Sequence, residues 1–150
     1  MRLAPCTLLL ASLALAGCDD DDDFILPVIE GQTFALRSAN GRSLPAIITD
    51  DTGRARLRVE VLGGTLTLGR NGTFTDEIVL RERRGDAVVT RTRLCRGTFV
   101  SGENTASFSE AVTGGTCGET FTGVLRIETL TTTIQGIVLV WSPPVIGRGF

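Results

Sequence analysis

The sequence predicts an all-β domain, an antiparallel meander that closes into an up-and-down β-barrel. From residue 31 onward, apolar and polar residues alternate with the period of two that is typical of half-buried strands. Turn signals recur about every 8 to 12 residues, and no stretch has helical periodicity. A meander of this length protects its edge strands best by closing on itself, so we expect a barrel; a two-sheet sandwich is the alternative architecture.

Residues 1–17 have the pattern of a secretory signal peptide. Met1-Arg2 is a short positive start, and residues 3–16 form an almost continuous apolar run that is too short to span a membrane. The run ends in Leu15-Ala16-Gly17-Cys18, which resembles the lipobox of bacterial lipoproteins. This resemblance implies that Cys18 is acylated on its thiol, becomes the mature N-terminus and anchors the protein to a membrane of the bacterial cell envelope. The alternative is an ordinary cleaved signal peptide with an incidental cysteine.

Residues 18–30 are predicted to be a tether between this anchor and the domain. The five carboxylates of Asp19–Asp23 repel one another and cannot pack against apolar groups, so we expect an extended chain. A calcium site is the other interpretation, although flexible carboxylates without a shaped loop bind Ca²⁺ weakly. Asp19 also resembles the inner-membrane retention signal of enteric bacteria, which other bacteria do not all use. The sequence therefore leaves the inner and the outer membrane open.

The barrel domain is predicted over residues 31–142, followed by a tail at 143–150 whose two leading prolines cannot extend a sheet. We predict strands over residues 33–38, 44–48, 54–62, 65–69, 73–83, 86–100, 105–110, 119–125, 129–134 and 137–141. Dipeptides that favour positive φ are expected to join them, at Asn40-Gly41, Gly63-Gly64, Asn71-Gly72, Arg84-Gly85 and Gln135-Gly136.

Short motifs in the first part of the domain carry a second resemblance. They are Phe34-x-Leu36-x-Ser38-x-Asn40-Gly41-x-x-Leu44-Pro45-Ala46, Gly64-x-Leu66-x-Leu68, Asn71-Gly72-Thr73-Phe74 and Cys95-x-Gly97-Thr98-Phe99. Together they look like small lipocalin-like bacterial lipoproteins, over most of residues 31–100. The resemblance implies a calycin-type barrel and implies no particular ligand.

The composition excludes most familiar enzyme mechanisms. The chain has no His and no Tyr, and all of its 15 basic residues are Arg. Histidine triads, histidine metal sites, tyrosine acids and Schiff-base lysines are therefore absent. We expect a non-enzymatic protein with no catalytic residues, metal or cofactor. Residues 24–150 hold 14 Arg and 12 acidic residues, a net charge of about +2 that does not suggest nucleic-acid binding.

Cysteine use predicts one disulfide bond. Cys6 lies in the signal peptide and Cys18 is assigned to lipidation, which leaves Cys95 and Cys117. An exported domain, in the periplasm or outside the cell, folds in an oxidising compartment. We therefore expect Cys95 and Cys117 to be joined.

Hairpin registers predict charged residues on the inner face of the barrel. A two-residue turn at Arg84-Gly85 places Asp76 directly opposite Arg93, with Arg91 one step along as a surplus interior cation. Such a cation needs an anion, so these three residues are candidates for binding the carboxylate or phosphate head of a small amphiphile. The alternative is a β-bulge that reverses the register and places all three in water.

The outer face carries a second set of arginines. Arg54, Arg56 and Arg58 alternate with apolar residues, which favours a solvated strand face, with contact to anionic lipid or polymer as the alternative. The functional hypothesis is a lipid-anchored envelope protein that binds a small amphiphilic or anionic, lipid-like molecule in a hollow barrel. The rival hypothesis is a structural or interaction module with a filled barrel and an unknown protein partner.

Overall fold

In the computed structural model of the protein, the described residues are 29–53, 56–111, 117–126 and 129–143. They form β1 (Thr33–Ala39), β2 (Arg42–Ser43), β3 (Ala46–Asp51), β4 (Leu57–Leu68), β5 (Thr73–Arg84), β6 (Ala87–Ser101), β7 (Thr105–Glu110), β8 (Thr120–Arg126), β9 (Thr129–Ile134) and β10 (Ile137–Ser142). The predicted signal peptide, Cys18, the five aspartates and residues 144–150 of the tail lie outside the described residues. Among the residues that are described, no helix is long and apolar enough to cross a membrane.

Eight of the strands close into an antiparallel barrel, as the sequence predicts. Strands β4 to β10 pair in chain order, and β1 pairs with β10 on one side and with β4 on the other. β2 pairs with the end of β1, and β3 pairs with the first half of β4, so these two short strands extend the wall beside the ring. The closed ring rules out the two-sheet sandwich.

Alternation of small polar and apolar residues explains why each segment forms a strand with one buried face. In β7 the side chains of Ala106, Phe108 and Glu110 are buried, whereas the Thr and Ser residues between them are exposed. β8 has the same pattern, with Phe121 and Leu125 inside. Burial of every second side chain stabilises this pairing and fixes its register.

Three of the predicted turns are confirmed. Asn40-Gly41 (φ 49° and 73°) and Gln135-Gly136 (φ 51° and 77°) both have the two positive φ angles of a type I′ hairpin turn. Gly72 has φ 72° in a three-residue loop, and Leu68 stands opposite Phe74 as the sequence predicts. These residues reverse the chain because Gly and Asn tolerate left-handed backbone.

The predicted turn at Gly63-Gly64 is wrong. β4 runs through both glycines without reversing, and a β-bulge between Val61 and Gly63 adds one residue to the strand. Because the bulge adds one residue, the inward alternation changes its phase along β4, and both Val61 and Leu66 are buried. Gly64 is needed for a close approach, because a Cβ there would lie 2.6 Å from the carbonyl oxygen of Glu77.

Two boundaries in the first third of the domain also differ from prediction. The strand predicted at 44–48 is observed as β3, which begins at Ala46 and extends to Asp51. The short strand β2 lies before it, and the two flank the cis peptide bond of Leu44-Pro45. Ile29, which we assigned to the tether, is buried in the core, and the N–H of Gly31 donates to the carbonyl of Leu68 at 2.7 Å. The folded domain therefore includes residue 29.

The register between β5 and β6 differs from prediction by two residues. The turn is Gly85-Asp86, with Gly85 at φ 59°, and Arg84 pairs with Ala87. A glycine in the first central position is typical of a type II′ turn. In the predicted turn, Arg84-Gly85, the glycine is in the second central position. Asp76 consequently pairs with Cys95, not with Arg93. A register shift of two residues leaves every side chain on the same face of the sheet. Asp76 and Arg93 therefore both point into the interior, as diagonal neighbours on adjacent strands.

Candidate ligand-binding site at the open end of the barrel

The two ends of the barrel differ in how they are filled. One end is packed with aromatic rings: Phe108 stacks on Phe121 with centroids 4.8 Å apart and meets Phe74 edge to face at 5.2 Å. Trp141 is fully buried near these rings and donates its indole N–H to Thr132 Oγ1 at 2.9 Å. Aromatic rings from β5, β6, β7 and β8 thus pack against one another in this part of the interior.

The opposite end contains an apolar cavity of about 140 Å³. Its lining is mainly branched aliphatic, from Ile48, Val61, Ile78, Leu80, Arg93, Ile134, Gln135, Ile137 and Leu139. These side chains come from six strands and from the β9–β10 turn, so the cavity forms only when the barrel closes. Concave apolar surface with a few polar groups is the usual character of a small-molecule site.

A polar cavity of about 420 Å³ adjoins the apolar one and forms its mouth. The two share Leu80, Arg93 and Gln135, and the mouth adds Glu82, Arg91, Thr92, Cys117 and Glu119. It opens beside β6. One edge of β6 pairs with β5 along Ala87–Thr98, but on the other edge β7 pairs only over Gly97–Ser101, and no other described strand pairs with the earlier half of that edge. The site therefore has an apolar floor and a charged rim.

Arg93 forms the centre of a buried ion-pair network beneath this rim. Its guanidinium donates to Asp76 Oδ2 at 2.6 Å and to Glu110 Oε1 at hydrogen-bonding distance. Glu110 Oε2 also accepts from the backbone N–H groups of Gly118 and Glu119, at 3.0 and 3.2 Å. Two carboxylates on one arginine leave no net positive charge in this network.

Burial changes the protonation of this network. Removal of water raises the pKa of Asp76 above its ordinary value, and the attraction of Arg93 only partly opposes that effect. Burial alone would lower the pKa of Arg93, but Asp76 and Glu110 outweigh it and raise that pKa instead. Asp76 Oδ1, in a side chain only 1% exposed, has no hydrogen-bond partner among the described residues. A backbone hydrogen bond from Cys95 to the carboxyl group of Asp76 acts in the opposite direction to burial and lowers the pKa of that group.

Of the three predicted interior residues, the structure brings two together. Asp76 and Arg93 pair inside the barrel, with the arginine side chain 15% exposed. Arg91, by contrast, is 65% exposed at the rim, where its Nε lies 3.7 Å from Glu82. The prediction of a surplus arginine in the interior is therefore wrong, because Arg91 lies beyond the strands that would cover it.

The predicted disulfide bond between Cys95 and Cys117 is confirmed, with a Cα–Cα distance of 5.7 Å. Cys95 lies on the inner face of β6 and is fully buried. Cys117 precedes β8, so the bond joins the two sides of the opening beside β6. Glu110 lies close to both sulfurs, but sulfurs that are bonded to each other are not thiolate ligands for a metal.

The sequence prediction missed Glu110, Glu119 and Gln135. Glu110 could have been found, because it continues the inward series of Ala106 and Phe108 along β7. Glu119 lies just before β8 and accepts a hydrogen bond from the side-chain amide of Gln135 at 3.0 Å. That contact joins residues from two different connections at the same end of the barrel, which no local pattern reveals.

The outer face carries a separate charged cluster. Arg58 and Arg81 both bind the carboxylate of Glu60, so the predicted outward position of Arg58 is confirmed. The hydrogen bond from Arg81 is the main cause that lowers the pKa of Glu60. Arg56 precedes β4 at φ 42° and is not on a strand, and Arg54 lies outside the described residues.

Comparison with known proteins adds no family to this description. No family model, no curated protein and no solved structure matches the chain.

Proposed function

We propose that the protein is a lipid-anchored envelope protein that binds one small amphiphilic molecule at the open end of its barrel. The observation that carries the proposal is the pair of adjoining cavities, an apolar floor of about 140 Å³ beneath a charged mouth. An amphiphile would place its apolar part among the aliphatic side chains and its polar head at the rim.

The size of the apolar cavity supports a small ligand. A cavity of about 150 Å³ lined by aliphatic and aromatic side chains holds a molecule of the size of benzene. A long acyl chain exceeds this space, so the apolar part of the ligand is a ring or a short chain.

The membrane anchor is supported by the sequence of residues 15–18 and by the acidic segment that follows it. Attachment through acyl chains would hold the barrel at the membrane surface while its domain stays in water. The role we propose is not catalytic, because the chain lacks the histidine, tyrosine and lysine side chains that most acid, base and covalent mechanisms use.

Calorimetric titration of the full chain in detergent with benzyl alcohol tests the proposal, with empty micelles as the blank. We expect saturable binding of one molecule per chain. Leu80→Trp fills both cavities and should abolish binding, whereas Val138→Trp, an exposed position on the outer face of β10, should not. Equal binding to both variants, or none to the wild type, would contradict the proposed function.

A second candidate, an interaction module, is favoured by the tip of the β5–β6 hairpin. Val88 and Val89 are about half exposed there. Val88 pairs with Arg83, which lies beside Arg58 and Arg81 on the outer face. Apolar and basic groups on a projecting hairpin suit contact with another envelope component. Val88→Ser with Val89→Ser should then abolish co-purification of that partner and leave the titration with benzyl alcohol unchanged.

A further inference from the structure

We propose that the head group of the ligand is cationic, an amine, and that Glu119 and Glu82 bind it at the mouth of the cavity. This inference rests on the proposed binding function and reverses the sign of charge that the sequence favours. The proposed sign of charge follows from a difference between the arginines of the site, which contact carboxylates, and the glutamates of the rim, which can accept further hydrogen bonds.

The arginines of the site are not free to bind an anion. Arg93 is bonded to Asp76 and Glu110, and Glu110 alone is sufficient to balance its charge. An anionic head at Arg93 would add a third negative charge beside two carboxylates that already contact this arginine. Arg91 also lines the mouth, but it is 65% exposed, so solvent and salt screen its charge, and its Nε lies 3.7 Å from Glu82.

The carboxylates at the rim, in contrast, can accept further hydrogen bonds from a cation. Glu119 accepts a hydrogen bond from the neutral amide of Gln135 and forms no ion pair with a described residue. Glu82 is only 3.7 Å from an arginine that is itself 65% exposed, which is a weak surface pair. Both side chains line the mouth directly above the apolar floor. An ammonium group has three N–H donors and no acceptor, which suits two carboxylates on one rim.

The interior provides a second indication. Asp76 Oδ1 is a buried acceptor on the inner face with no partner among the described residues, beside the arginine that lines the cavity. The charge of an anionic ligand would add to those of Asp76 and Glu110. A cation or a donor is therefore the better complement to this end of the barrel.

Three probes of nearly equal size separate the charge of the head from the fit of the ring. Benzylamine carries a cation, benzyl alcohol is neutral and benzoate carries an anion at pH 7. We expect the full chain to bind benzylamine about tenfold more tightly than benzyl alcohol, and benzoate more weakly than either. The preference should shrink at high salt, since the rim is partly exposed.

Variants at the rim locate the effect. Glu119→Gln and Glu82→Gln should each remove most of the preference for benzylamine while leaving benzyl alcohol bound as before. Glu77→Gln is the matched control, because Glu77 is exposed on the outer face of β5 and should change neither affinity.

The outcomes separate this inference from the proposed function. Benzoate binding as tightly as benzylamine would overturn the cationic head. A preference for benzylamine that survives both rim variants would overturn the assignment of that head to Glu119 and Glu82. Either result would leave the binding function intact. Failure of all three probes to bind the wild type would overturn both. The ranking of the probes on the wild-type chain decides the question even if one variant fails to fold.

Discussion

Arg93 is held between Asp76 and Glu110, two carboxylates that are almost fully buried. Each of the three charges is costly to bury alone, and the network is tolerated because each has an opposite charge in hydrogen-bond contact. The arginine is the critical member. Removing Asp76 leaves Arg93 paired with Glu110, whereas removing Arg93 leaves two carboxylates facing one another.

Replacing Arg93 should therefore destabilise the fold more than any other change in this network. We expect Arg93→Met to lower the free energy of unfolding by about 3 kcal/mol or more. Arg91→Met is the matched control on the same strand and face, and because Arg91 is exposed it should cost at most about 1 kcal/mol. Urea denaturation at pH 7 measures both values. Similar losses in the two variants would show that Arg93 is not buried as described.

The raised pKa of Asp76 gives the stability a pH dependence of defined sign. The folded state holds the Asp76 proton more tightly than the unfolded state, whose value is near 3.8. The stabilisation from this proton is complete below about pH 4 and is lost as the pH rises through the raised pKa. Other carboxylates add their own pH dependence, so the effect of Asp76 must be isolated by substitution.

The side chain of Asn does not ionise, so comparison of the wild type with Asp76→Asn isolates the contribution of Asp76 to the pH dependence of stability. We expect the free energy of unfolding of the wild type, relative to Asp76→Asn, to increase as the pH falls from 7 towards 4. Denaturation series of the two proteins across that range measure the difference, with the exposed Asp86→Asn as control. A difference that stays constant, or that changes in the opposite direction, would contradict a raised pKa.

At the scale of strands, the sequence predicted which face of the sheet a residue lies on better than which residue it pairs with on the next strand. Alternation along β5 and β6 placed Asp76 and Arg93 inside, and a turn misplaced by one residue shifted the register by two without changing faces. In β4 the two glycines that predict a turn instead lie in a continuous strand beside a one-residue bulge. Glycine pairs mark both turns and close approaches, and the sequence alone does not distinguish them.

Close approach between strands predicts which glycines are essential. A Cβ on Gly97 in β6 would overlap the carbonyl oxygen of Ser109 and lie 2.7 Å from the ring of Phe74. We expect Gly97→Ala to lower the free energy of unfolding by about 1 to 3 kcal/mol or more.

Gly63→Ala is the matched control within β4, because a Cβ there meets no atom within 4 Å. It should change stability by less than about 1 kcal/mol and can even stabilise, since Ala restricts the unfolded chain. Thermal or chemical denaturation compares the two. Equal losses would mean that β6 and β7 are not packed as tightly at Gly97 as the structure has them.

At the scale of the whole molecule, the protein is a barrel that is filled at one end and open at the other. Strand alternation and turn residues predicted the closed meander, and cysteine counting predicted the disulfide bond. The cavity was not predictable, because its volume depends on how side chains from non-adjacent strands meet after closure. Glu119 and Gln135 illustrate the same limit, since their contact joins two different connections.

The membrane anchor is also a property of the whole chain. We expect wild-type protein expressed in its host to remain in the membrane fraction after a high-salt wash, and Cys18→Ala to be released into the soluble fraction. Cys6→Ala, which changes a cysteine within the predicted signal peptide, is the control and should leave the anchor intact. Retention of Cys18→Ala in the membrane at high salt would mean that another feature provides the attachment.

Native mass spectrometry of the full chain, extracted gently from its host membrane, tests most directly whether the open end of the barrel holds a small molecule. The wild type is expected to carry one small molecule per chain in addition to its lipid. Leu80→Trp should lose that molecule, because the indole occupies the cavity, and Val138→Trp should retain it. Spectra in which all three proteins carry only the anchoring lipid, or in which the small molecule persists in Leu80→Trp, would contradict the account.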